Sequence, residues 1–335
     1  MKARSLAVLA VFVLLGAAHS NGGPLEAGLE AGVQGSFGGA AYDLSAPVDV
    51  TTDVLSRLEF PLDGFSAVLG ARLAVLDEVR GVQGREALAG RAAWLFNVEA
   101  SISVTPPAGS MRDYDWLKVQ GYPQIPFSYT ESDVEGTTIG VEGQAAKRMG
   151  RAGGLSWYLA AGYFFQHIAQ DVLGYTGWQY VWNGGAYDLY VIYGTEKALT
   201  YELTLHAPMV GGFGVLAVGP RLTLEASAFY LLVLASDRDD HVLRYKLSTA
   251  SGTGNGLRAS LAARYALGDP RGTAQPYLAL EAQFLTLKVS TTQRQEWYGD
   301  DPGTPGDDTG TVYTGIDHVI TSTQLRLVLA AGVKL

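Results

Sequence analysis

Leu222-Thr223-Leu224-Glu225-Ala226-Ser227-Ala228-Phe229-Tyr230-Leu231-Leu232-Val233-Leu234 runs through Ala235 and Ser236 into Asp237-Arg238-Asp239-Asp240-His241. Successive side chains of an extended chain point to opposite sides. That rule places Leu222, Leu224, Ala226, Ala228, Tyr230, Leu232 and Leu234 on one face, and Thr223, Glu225 and Ser227 on the other. Such a stretch exceeds the ~9–11 tilted residues that a strand needs to cross a bilayer. Carried on in phase, Asp237, Asp239 and His241 point to the polar side, toward the lumen of a barrel. A second stretch sets Ala92, Trp94, Phe96, Val98, Ala100, Ile102 and Val104 outward, and Arg91, Asn97, Glu99, Ser101 and Ser103 inward. Pro106 and Pro107 interrupt that phase before Asp113-Tyr114-Asp115-Trp116, yet Asp113 and Asp115 share one face wherever the chain there is extended.

The same alternation recurs along the chain. Leu257, Ala259, Leu261, Ala263, Tyr265 and Leu267 oppose Arg258, Ser260 and Arg264. Leu278, Leu280, Ala282 and Phe284 oppose Glu281 and Gln283, and Leu325, Leu327, Leu329, Ala331, Val333 and Leu335 oppose Gln324, Arg326 and Lys334. Inward charges of this kind would be costly in the core of a soluble sandwich but can line a wet lumen. The pattern predicts an all-β protein, a ten-stranded antiparallel transmembrane β-barrel. Its strands fall near 25–41, 54–76, 88–104, 135–148, 155–172, 197–218, 221–236, 244–266, 275–293 and 316–335, with Asp63-Gly64 marking a bulge or bend in the second. Mostly long, polar connections (42–53, 105–134, 173–196, 237–243 and 294–315) alternate with mostly shorter ones. Long loops normally face outside the cell, so both acidic clusters are expected on the extracellular rim.

Lys2 and Arg4, the apolar stretch Leu6 to Leu15 and the small residues Ala17-Ala18 predict a signal peptide over 1–20 and a single barrel domain over 21–335. The expected location is the cell outer membrane. Removing Lys2 and Arg4 moves the formal charge from -9 to about -11, which disfavours nucleic acid and favours cationic peptides or proteins as partners, beside the outer-membrane lipid. With no cysteine, a thiolate nucleophile and a disulfide framework are both excluded.

His241 with Asp239 two residues before it has the ingredients of a dyad in which a carboxylate orients an imidazole that deprotonates water. Asp113 and Asp115 can share a proton, because adjacent anions repel, and can position that water for attack on a carbonyl. No Gly-x-Ser-x-Gly elbow or His-Glu-x-x-His helix is present. A second reading of the same residues is a divalent-cation site of hard oxygens plus one imidazole, though the spacing matches no ligand motif and no metal is expected. His167, His206 and His318 read as lumen or girdle residues, and Trp94, Tyr230 and Tyr265 as membrane-interface aromatics.

At these residues the chain resembles the omptin family of outer-membrane proteases, whose ten-stranded barrels carry Asp-x-Asp-Trp in the second outer loop and Asp-x-Asp-x-His in the fourth. Strand and loop order, Glu196-Lys197-Ala198-Leu199-Thr200-Tyr201 with Pro208 after it, and Gly315-Ile316-Asp317 before the final strand are also similar. The resemblance implies an endopeptidase in which Asp239 and His241 form the dyad and Asp113 and Asp115 the carboxylate couple. It implies that Asp237 reads a basic side chain before the scissile bond and that Glu131 reads the residue after it. The family's second acid in the basic pocket comes from the end of the first strand, where this chain has Phe37-Gly38-Gly39-Ala40; Asp43 is the nearby acid that could compensate. Family members need lipopolysaccharide and bind it partly through charges on the fifth strand. Here Tyr163 matches but Phe165 and His167 replace the charged pair, so the resemblance leaves lipopolysaccharide dependence open, and no other cofactor is expected. The competing expectation is a non-enzymatic barrel on the same scaffold, serving as an adhesin, receptor or narrow pore.

Overall fold

In the computed structural model of the protein, described over residues 25–47, 51–76, 92–268 and 274–335, twelve strands form one antiparallel sheet that closes on itself. They are β1 (Leu25–Pro47), β2 (Thr52–Pro61), β3 (Gly64–Leu76), β4 (Ala92–Ser103), β5 (Ser110–Val119), β6 (Ile125–Ala152), β7 (Leu155–Trp182), β8 (Tyr187–Val218), β9 (Leu222–His241), β10 (Lys246–Ala266), β11 (Gln275–Trp297) and β12 (Val312–Lys334). The signal peptide expected over 1–20, and Arg91, lie outside the described residues.

The wall is nonetheless a ring of about ten strands at any height. On the lower part β1 pairs with β3, β3 with β4 and β4 with β6; on the upper part β1 pairs with β2, β2 with β5 and β5 with β6. The upper strands thus continue the lower ones past a break, and β12 pairs with β1 to close the ring. The break falls at Asp63-Gly64, where the sequence predicts a bend, and an isolated bridge joins Asp63 to Ala108. Asp63 Oδ1 accepts the Gly38 amide there at 2.6 Å, and Gly38 itself has φ +117°.

The expected loops are largely strand. Residues 105–134 contain β5 and the start of β6, and 173–196 extends β7 and β8 into a hairpin of 28-residue and 32-residue strands. Above the membrane the outer face no longer has to be apolar, so the alternation fades from the sequence while the backbone ladder continues. On β9 the outward row is exposed through Leu234 and then turns polar at Ser236, Arg238 and Asp240, marking the edge of the apolar band.

The interior has layers. Low in the barrel Arg258 pairs with Glu142 at 2.9 Å and Arg72 with Glu225 at 2.7 Å, and Arg264 also bonds Glu225. β10 and β6 are not neighbours, nor are β3 and β9, so the Arg258–Glu142 and Arg72–Glu225 contacts cross the lumen, whereas Arg264 and Glu225 lie on adjacent strands. Higher on β9 the inward row becomes Phe229, Leu231, Val233 and Ala235, packed with Phe164, Leu205, Leu287, Val289 and Ile320 into a dry core. The uninterrupted apolar run Phe229 to Ala235 is the sequence mark of a segment with lipid on one side and this core on the other. Gly252, Gly254 and Gly256 of β10 stand opposite Ala235, Val233 and Leu231 in the register, and their lack of side chains leaves room for Thr291, Val289 and Leu287 of β11.

Candidate active site

The site sits directly above the dry core, at the rim. The alternation of β9 holds to its end: Asp239 is 1% exposed, Asp237 6%, and both face the lumen. His241 Nε2 donates to Asp239 Oδ2 at 3.0 Å, and the Tyr42 hydroxyl donates to the same oxygen. With Nε2 so engaged, Nδ1 is the nitrogen of His241 available to take a proton. The His241 side chain is 17% exposed, so water reaches it.

Asp113 and Asp115 arrive from β5, in register with Leu58 and Ser56 of β2. Leu58 is buried inside the barrel, so its partner Asp113 faces inward too, as does Asp115 two residues on. Ser128 Oγ donates to Asp115 Oδ2 at 2.7 Å. The rim therefore brings Asp113, Asp115, Asp239 and His241 to one side of the wall, from opposite parts of the ring.

Their protonation states are set apart. Burial, then the like charges of Asp115 and Asp239, push the Asp113 carboxyl well above the usual carboxylate range, only partly offset by Lys246 and Arg244. Burial acts to raise Asp239 as well, but the His241 imidazole and the bonds from His241 and Tyr42 outweigh it and hold Asp239 below that range. Burial pushes His241 below its ordinary value; Asp239 opposes this, and the charges of Lys246 and Arg244 reinforce it. At neutral pH the site presents an anionic Asp239 and a neutral His241 beside an Asp113 carboxyl pushed toward its protonated form, which is an orienter, a base and an acid.

Asp237 lies beside this group but is not empty-handed. His318 Nε2 meets its Oδ2 at 2.8 Å, with His318 fully buried and its Nδ1 3.4 Å from Gln293 Nε2. Tyr42 lies 4.9 Å from the His318 ring, and Tyr201 stacks on Phe60 at 4.0 Å, so aromatic rings wall this corner. Among the described residues, Asp113 Oδ1, Asp237 Oδ1, Asp239 Oδ1 and the Tyr201 hydroxyl are buried without a hydrogen-bond partner. No group of three or more His, Asp and Glu side chains among the described residues could hold a metal ion.

Two expected contributors are placed elsewhere. Glu131 is on the outward face of β6, alternate to Ser128 and Ser132, where it meets Arg112 at 3.4 Å and accepts from Tyr129. It is not part of the lumen group. Asp43 follows the inward Tyr42 and so points out, pairing with Arg57 at 3.0 Å. His167 and His206 also lie on the outer face, with Tyr163 OH 2.5 Å from His206 Nδ1 and His167 Nδ1 3.0 Å from Thr204 Oγ1. The residues that the motifs do not announce are Tyr42, Tyr201, Lys246 and His318. Parity would have found two of them: Lys246 is in phase with Arg258, and His318 with Gln324 and Arg326, on rows already read as inward.

A closed all-β barrel with a carboxylate and imidazole group at one rim defines the class by fold: a closed antiparallel β-barrel with a polar rim site. No protein-family description and no curated protein sequence matches the chain. By fold it is similar to the outer membrane protease OmpT from Escherichia coli, at 12% identity and a TM-score of 0.64, over 92% of this chain and 96% of that one. It also aligns with the translocator domain of the autotransporter NalP from Neisseria meningitidis, at 10% identity and a TM-score of 0.30 over 98% and 95% of the two chains. With OprG from Pseudomonas aeruginosa the figures are 9%, 0.28, 92% and 95%. At 12% identity the first likeness speaks for the fold alone.

Proposed function

We propose that the protein is an outer-membrane endopeptidase that hydrolyses peptide bonds next to basic residues, with its site facing outside the cell. One observation carries this reading: the Asp239 and His241 pair lies within electrostatic reach of Asp113 and Asp115 at the rim, with opposite protonation tendencies on the two sides. His241 Nδ1 takes a proton from water, Asp239 holds the imidazole and steadies the imidazolium, and the resulting hydroxide attacks the carbonyl carbon. Asp113 supplies the proton that the leaving amine needs. Asp237 retains an unpaired Oδ1, an acceptor suited to the guanidinium or ammonium of a basic substrate residue. The acidic chain favours cationic peptides as partners.

The test is cleavage of peptides centred on Arg and Lys by the refolded barrel in detergent, with and without lipopolysaccharide. The wild type should cut, and His241→Ala and Asp113→Ala should each lose roughly 10²–10⁴-fold. Because the imidazole is lowered, kcat/KM should persist below the ordinary histidine range before falling as His241 protonates. A folded wild type that cuts nothing in either condition sinks the reading. The exposed Trp182, Tyr187, Leu189 and Tyr193 of the β7–β8 hairpin favour the alternative, a binding barrel such as an adhesin or receptor. In that case His241→Ala would leave partner binding intact. A pore is disfavoured by the ion pairs and dry core that fill the lumen.

A further inference from the structure

Lys246 is the cation that the reaction scheme above leaves unused. It begins β10, stands opposite His241 in the β9–β10 register and opposite Trp297 in the β10–β11 register, and is 8% exposed. Its Nζ lies 5.9 Å from the Trp297 ring centroid. The turn that delivers it is fixed from outside: Arg244 Nε donates to the buried Asp301 at 2.8 Å, and Tyr298 N donates to Tyr245 O at 2.8 Å. Among the described residues Lys246 takes part in no ion pair or hydrogen bond.

A buried ammonium with an aromatic ring but no carboxylate or hydrogen-bond partner is costly, and long polar side chains are seldom left so. What retains it is the combined field of Asp239, Asp113 and Asp115, opposed by Arg244, with His241 beside it. These carboxylates have other partners or a proton: Asp239 holds His241 and Tyr42, and Asp115 holds Ser128. The ammonium thus lies within electrostatic reach of the group that attacks the carbonyl, opposite His241 in the register, but is committed to none of its members.

Peptide hydrolysis creates one more anion there. When the water oxygen bonds to the carbonyl carbon and its proton passes to His241, the carbonyl π pair moves onto oxygen. That oxyanion lasts until the pair returns, the C–N bond breaks and the amine leaves with a proton, giving one carboxyl and one amino terminus. We propose that Lys246 is the catalytic residue that stabilises this oxyanion, an inference that rests on the hydrolase reading above. Burial and the Arg244 charge lower its ammonium to about 8, so the cation is present at neutral pH and is lost as pH rises through that value.

The experiment compares wild type, Lys246→Met and Lys246→Arg as refolded barrels, with kcat, KM, pH profile and heat-modified electrophoretic mobility measured for each. Loss of one oxyanion donor typically costs about 10²–10³ in kcat. Lys246→Met should show that loss with KM within about threefold, Lys246→Arg should recover at least about tenfold of it, and its alkaline limb should move up from near pH 8. The proposal is overturned if Lys246→Met keeps kcat within about threefold, or if it shifts the acid limb of His241 and Lys246→Arg restores nothing. The latter would make Lys246 a setter of the dyad's charge. Should Lys246→Met fail to fold, Lys246→Arg decides alone, since an unmoved alkaline limb overturns the proposal. A folded wild type with no activity defeats the hydrolase reading itself, a result distinct from an active wild type with an active Lys246→Met.

Discussion

Asp113 is held at the rim against its own preference for charge. Burial and two neighbouring carboxylates raise it well above 3.8, so folding takes up a proton at this residue once pH exceeds that value. A raised folded pKa contributes fully below the unfolded value and loses its contribution as pH rises through the folded one. Asp113→Asn keeps the shape and removes the charge. The variant should therefore be more stable than wild type at neutral pH, with the gap growing as pH rises and vanishing below pH 3.8. Thermal unfolding in detergent across that range checks it, and a constant gap would refute it. The gain would come with loss of activity, as expected where a site holds like charges together.

At the scale of elements, the strands do two jobs at different heights. Within the membrane, β6 and β10 are joined through the lumen by Arg258 and Glu142, at 6% and 10% side-chain exposure. Removing one member of a buried pair leaves the other charge stranded and typically costs about 3–5 kcal/mol, whereas replacing both with apolar residues costs far less. Arg258→Leu should lower the unfolding midpoint in urea markedly, and Arg258→Leu with Glu142→Leu should recover most of the loss. Equal midpoints for the single and double variants would show that the nearby Arg326 re-pairs the stranded carboxylate. Above the membrane, β5 and β9 carry the acid groups on strand rather than loop. A ladder fixes the direction of each side chain, which is what lets carboxylates from separate strands converge.

The whole molecule is a closed wall around a filled interior. Crossing ion pairs low in the barrel and the apolar layer of Phe164, Leu231, Val289 and Ile320 above them separate the rim site from the other end. The polar side chains at that height, Gln166, Ser322, Gln324 and Arg326, are bonded to one another, so among the described residues the layer is packed and closed to porin-sized solutes. Liposomes carrying the protein should therefore show no swelling in isosmotic arabinose above that of empty liposomes. Sugar-dependent swelling of porin size would mean that the core opens, and would revive the pore reading. Closure also gives the extra length of β7 and β8 a place in the proposed function, which would be exercised at the rim, where 28-residue and 32-residue strands project.

The sequence by itself determined the barrel, because a wall with lipid outside imposes a period of two on every crossing strand, and Leu222 to Leu234 shows it plainly. It also fixed the inward direction of Asp237, Asp239 and His241, since phase carries without interruption from Glu225. Phase did not carry across Pro106 and Pro107, so the strand under Asp113 and Asp115 was not legible. Nor was the outward turn of Glu131, which depends on the register of β6. Only the tertiary structure decided which side chains meet across the ring: Tyr42 on Asp239, His318 on Asp237, and Lys246 over Trp297 beside the dyad. The alternation of a strand says whether a residue faces in, but what it faces is set by ring closure and stagger, which bring residues nearly two hundred positions apart into one pocket.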